Sequence, residues 1–154
     1  DYFRSQVWYL TQRAKQLIQA DSLRTKGKMI ILDTLLHSTL IFAKTKLNNK
    51  DFSALEDLCF MISDLLPKPD CVVYLYARPE FLYKTRRMQR VKDGSGPKSD
   101  VSASLEWITQ ICSLHQHYFD SWNQTPLLKI NVEEVDIKEK KQFLSIANRI
   151  KTMM

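Results

Sequence analysis

Glycine is scarce: Gly27, Gly94 and Gly96 are all that 154 residues contain. No two of them are spaced for a GxxxxGK[ST] phosphate loop, so that cradle is excluded within the chain. Cysteine is scarce too. Cys59, Cys71 and Cys112 are odd in number, form no CxxC pair and sit among apolar neighbours. A structural zinc site is therefore excluded. Buried, reduced thiols are expected, in the cytoplasm or the mitochondrial matrix. No apolar run approaches the ~20 residues of a membrane span. The start, Asp1-Tyr2-Phe3-Arg4, has no initiator methionine and no signal-peptide pattern. A processed product or a fragment of something longer is expected. His37, His115 and His117 fall in no Ser/His/Asp or metal-ligand spacing. His115 lies on an apolar stripe and reads as a core histidine with its hydrogen bonds satisfied.

What is present is a basic surplus on an ordinary globular composition. Lys and Arg number 23 against 17 Asp and Glu, a net charge of +6, and 44% of residues are hydrophobic. The length suits one domain spanning 1–154. The charge attracts anions, whether phosphates, nucleic acid, an acidic partner or a membrane surface. Charge is the whole case for nucleic acid, and no such partner is expected.

Helical spacing of Phe3, Val7, Leu10, Ala14 and Leu17 predicts a long amphipathic helix over Tyr2–Ala20. Met29–Leu32 reads as a short apolar strand ending at Asp33. A helix with Leu36, Leu40 and Ala43 on one face follows. Leu47–Lys50 is a polar turn, and Asp51 or Ser53 can cap the next helix, which turns Leu55, Leu58, Ile62 and Leu65 inward. Pro67 and Pro69 stop it. Cys71–Tyr76 is the clearest strand, apolar enough to be covered on both faces. Pro79 and Glu80 open a helix that runs to about Val91. Residues 92–100 hold the Gly/Ser/Pro-rich stretch and read as a mobile lid loop. A helix carrying Val101, Leu105, Ile108, Cys112 and His115 follows, then a strand at Pro126–Asn131 and a last helix over Lys138–Lys151. Strands alternating with helices predict an α/β fold, a parallel sheet flanked by helices.

In such sheets ligands sit beyond the carboxyl ends of the strands. Asp33 stands at one end, and a carboxylate there can orient or deprotonate a hydroxyl; it can equally cap the next helix. Arg86, Arg87, Arg90 and Lys92 precede the 92–100 loop, with Arg86 and Arg90 four apart on one face. They can neutralise a transferring phosphoryl group, or form a solvated basic face. The Asn131-Val132-Glu133-Glu134 segment can frame a base or make a polar turn. Trp8, Trp107 and Trp122 fit a core or a groove wall better than a stacking platform.

Taken together, several segments resemble the deoxynucleoside kinase family, nearest its bacterial deoxyadenosine/deoxyguanosine kinase branch. They are Gln6 on the first helix, Ile31-Leu32-Asp33, Leu40-Ile41-Phe42-Ala43, Leu66–Leu75, Arg86–Lys92, and Pro126–Asn131 followed by Asp136. The resemblance implies a P-loop nucleoside-kinase-like fold and transfer of the ATP γ-phosphate to the 5′-hydroxyl of a deoxynucleoside, with ATP and Mg2+ as cofactors. It implies base binding by Gln6, a pocket wall at Trp8 or Tyr9, an acidic motif position at Asp33, a lid formed by Arg86, Arg87 and Arg90, and adenine binding at the Asn131 loop. It assigns no metal ligand. The family's phosphate loop and the acidic base on its second strand would precede Asp1. Thr34 and Leu35 replace the arginine and serine that follow the acid in the family motif, and the lid arginines fit with a one-residue shift. These departures sustain an alternative. The chain would then be a catalytically inactive accessory subunit bound to protein partners in a larger assembly, as a kinase-like subunit is in mitochondrial respiratory complex I.

Overall fold

The computed structural model describes residues 1–33, 35–92 and 104–154, without the side chains of residues 87 and 89–92. The chain forms two compact units, Asp1–Lys68 and Pro69–Met154.

The first unit is helical. α1 covers Tyr2–Arg24, and the Asp1 carboxylate caps it by accepting from the Arg4 N–H. It ends where Gly27 takes a φ of 74°, a left-handed turn that glycine makes without strain. There the Lys28 N–H reaches the Leu23 carbonyl. α2 covers Ser38–Lys44 and α3 covers Asn49–Ser63. The cap of α3 is Asn48, whose side chain accepts from the Asp51 N–H at 2.9 Å. The turn asparagine takes the place expected of Asp51 or Ser53, because the helix starts one turn earlier than the apolar spacing suggests. The core brings together Leu10 of α1, Leu36, Ala43 of α2, and Leu55 and Cys59 of α3. Leu10, Leu55 and Cys59 are fully buried. Leu58 and Ile62 pack against this cluster, whereas Leu65 lies past the end of α3 and is exposed. The expected strand at Met29–Leu32 is not formed. Ile31 is 88% exposed, and a strand's N–H and C=O groups need a neighbouring strand that the described residues do not supply there.

The second unit is α/β. β1 (Val72–Tyr76) and β2 (Leu127–Asn131) pair in parallel, Val72 opposite Leu127 through Tyr76 opposite Asn131. A parallel pair needs a crossover, and α4 (Pro79–Lys92) and α5 (Leu105–Asp120) lie within it. Ser104 caps α5 by accepting from the Trp107 N–H. Phe119 of α5 stacks on Tyr74 of β1 at 4.2 Å, next to Tyr118 and Trp122. Leu128 and Ile130 are buried, but Val73 and Leu75 are exposed, so β1 is not covered on both faces as its composition suggested. α6 (Lys140–Lys151) closes the chain and buries none of its residues. His115 is half-buried and its Nδ1 lies 2.9 Å from the Ile111 carbonyl, the satisfied histidine expected. Val101 and the 92–100 loop fall at or beyond the edge of the described residues. No described helix is long and apolar enough to cross a membrane.

The fully buried Leu55 gives the core a direct test. Leu55→Ala should cost about 2–5 kcal/mol in urea unfolding of the intact protein. Asn48→Ala, which removes a cap, should cost about 1 kcal/mol. Equal costs for the two would contradict this assignment of core and cap.

Candidate functional site

In the first unit the expected site residues lie on α1 and just after it. Gln6 is 6% exposed. Its side-chain amide offers two N–H donors and a carbonyl acceptor. One turn on lies Leu10, fully buried, which holds this side of the helix inward. Tyr9 and Trp8 are 53% and 58% exposed, and their rings meet edge to face at 5.1 Å. At about 100° per residue, Tyr9 lies some 60° from Gln6 around the helix and Trp8 some 160° away. Tyr9 thus shares the Gln6 side, and Trp8 reaches it only through Tyr9.

Asp33 does not cap α2. The residue before that helix is His37, which makes no side-chain cap bond. The Asp33 carboxylate instead accepts from Arg13 Nη1 at 3.3 Å. The same nitrogen donates to Gln16 at 3.0 Å. Arg13 stands two turns beyond Gln6 on α1, so one helix carries the buried amide and the cation that anchors the acid. Beside this pair, Arg13, Gln16, Leu17, Leu32 and Leu36 line a notch of about 10 Å³. That is room for about one water, far below a small-molecule pocket. Thr34, the departure from the family motif, lies outside the described residues. His37 is buried, and burial holds its pKa below the ordinary 6.5. Burial, helped by Glu56, pushes the Cys59 thiol up to about 12. It stays protonated at neutral pH and is no nucleophile.

In the second unit the carboxyl ends of β1 and β2 are locked together by a pair that sequence reading did not single out. Glu133 accepts from the Arg78 backbone N–H at 2.7 Å, from its Nε at 3.0 Å and from its Nη2 at 2.7 Å. The Arg78 hydrogen bonds hold the Glu133 pKa below the ordinary carboxylate value of 4.5 and raise that of Arg78. The signal that finds this pair is the sheet register. Tyr76 faces Asn131, so two residues further along each chain Arg78 faces Glu133. Asn131 spends its amide within its own loop. Its oxygen accepts from the Glu133 N–H at 3.1 Å and its nitrogen donates to Glu134 at 2.7 Å. Any ligand contact at this loop therefore falls to its backbone and to the residues it presents. Arg86 is exposed, with its guanidinium 6.0 Å from the centroid of the half-buried Trp107 ring. Arg87 and Arg90 continue α4, and their side chains are outside the description. Among the described residues no three His, Cys, Asp or Glu side chains are placed to hold a metal ion.

Comparison with known proteins gives two matches. The family model described as deoxynucleoside kinase matches residues 3–154. A deoxyguanosine kinase of Bacillus subtilis (strain 168) is 28% identical over 90 residues, 57% of this chain and 44% of that relative. The match thus spans less than half the length of that protein.

The Arg78–Glu133 pair predicts a pH dependence. A depressed carboxylate pKa stabilises the fold above the ordinary value of 4.5, and that stability is lost as pH falls through the depressed value. Urea midpoints measured from about pH 6 down to pH 3 should therefore fall more steeply for the wild type than for Glu133→Gln. Parallel curves would mean that the pair carries no such linkage.

Proposed function

The chain belongs to the deoxynucleoside kinase family, and on that premise we propose that it is part of an enzyme that moves the γ-phosphate of ATP to the 5′-hydroxyl of a deoxynucleoside. The observation that carries this reading is Gln6. It is a buried residue whose amide carries two N–H donors and a carbonyl acceptor, on the side of α1 that also bears an exposed aromatic residue, Tyr9. A nucleobase edge supplies the complementary donors and acceptors, and its flat face suits an aromatic wall.

The remaining roles follow from chemistry. Asp33 orients the sugar hydroxyl, with Arg13 fixing its position. Arg86, Arg87 and Arg90 neutralise the charge that spreads over the phosphoryl oxygens during transfer. The loop that follows β2, shaped by the Asn131 amide, frames the adenine of ATP. Trp8 supports Tyr9 from the side and does not touch the base. Magnesium, when bound, supplies charge neutralisation between the phosphates. The alternative of an inactive accessory subunit rests on Thr34 and on the lid spacing, and neither comparison supports it.

The test is direct. The intact protein, incubated with labelled ATP and each of the four deoxynucleosides, should give a 5′-monophosphate. Gln6→Leu should then lower kcat/KM for the preferred nucleoside by about 10- to 100-fold, through loss of one buried hydrogen-bonding group. The KM for ATP should not move. Absence of any labelled monophosphate with all four substrates would end the reading.

A further inference from the structure

The Arg78–Glu133 pair joins two places that matter for different reasons. Arg78 is the residue before α4, and its carbonyl accepts the first bond of that helix from the Leu82 N–H. Its own N–H is one of the unpaired donors that helix starts present, where the helix dipole is positive and anions are drawn. The Glu133 carboxylate already fills that position at 2.7 Å. A phosphate group is thereby kept from that N–H.

Glu133 is also the second residue of the loop that leaves β2. Its side chain is 12% exposed, against 79% for Arg78, so the carboxylate is packed in while the guanidinium lies over it. Within the loop, Asn131 holds both Glu133 and Glu134, and the Glu134 N–H returns to the Asn131 carbonyl. The Val132 N–H ties the start of the loop to the Tyr76 carbonyl of β1 at 2.9 Å, and the next residue needs its own outside anchor. The several bonds to Arg78 provide it, in a planar geometry that a single-point cation cannot copy.

We propose that Arg78 and Glu133 are a positioning pair that holds the loop after β2 in the form that accepts the adenine ring of ATP. This rests on the assignment of adenine to that loop in the preceding section. Neither residue touches the reacting atoms. Arg78→Lys keeps the charge but loses the two-pronged contact. Glu133→Gln keeps an acceptor for the Arg78 N–H but loses the ion pair.

The experiment measures ATP binding by calorimetry, and kcat and KM for both substrates, on the intact protein. Arg78→Lys and Glu133→Gln should each weaken ATP binding and raise its KM about tenfold. The kcat and the deoxynucleoside KM should stay within about twofold. The double variant should be no worse than the weaker single one, since both remove the same contact. A purely structural pair would lower the melting temperature and leave the KM for ATP where it was. An unchanged ATP affinity in folded variants, with wild type binding ATP normally, would overturn this inference alone. If wild type itself binds no ATP, both this inference and the reading beneath it fall.

Discussion

Tyr76 stands opposite Asn131 in the parallel pair, and the second unit depends on that register. Side chains alternate along a strand, so a slip of one residue would turn every side chain to the other face. The buried pair Leu128 and Ile130 would then exchange places with Lys129, whose ammonium now reaches Asp120. The same slip would take Glu133 away from Arg78 and leave a carboxylate packed in without its cation. Hydrophobic burial inside the sheet and ion pairing beyond its end therefore select one register. The Tyr74–Phe119 stack is a third constraint, since it fixes α5 against the strand that the register positions.

What the sequence made legible was whatever depends on local spacing. The long first helix, the proline stop after α3, the clearest strand and the proline-initiated α4 all follow from periods of 3.6 or 2 and from residues that start or end them. The parallel α/β class follows from the alternation of these elements. Features that depend on a distant neighbour were not legible. Met29–Leu32 has strand composition, but a strand exists only beside another, and the described residues place none there. Asp33 has the composition of a helix cap, yet Arg13, twenty residues earlier in the chain, holds it instead. Arg78 and Glu133 are 55 residues apart and meet only through the sheet register. Asn131 was legible as a position but not as a role, because an asparagine in a turn commonly spends its amide on its own backbone.

The first unit shows where a local rule is broken. A core made of Leu10, Leu36, Ala43, Leu55 and Cys59 has no use for an amide, and glutamine is among the residues least often buried. Gln6 is buried one turn from Leu10 all the same. Such a conflict between site and residue is expected where function, and not packing, chooses the side chain.

The charge on α4 follows the same logic at larger scale. Each end of a helix carries about half an elementary charge, positive at the start and negative at the end. Glu133 neutralises the start, and Arg86 with the arginines after it balances the end, where cations gather with the least mutual repulsion. The two ends are thereby made different. At the start, the Arg78 N–H is taken by a carboxylate that holds a loop. The later turns carry Arg86, whose guanidinium lies 6.0 Å from the centroid of the Trp107 ring. An anion approaching this helix finds the Arg78 N–H already taken, so one carboxylate across the strand ends both holds a loop and occupies a donor that a helix start would otherwise offer to an anion.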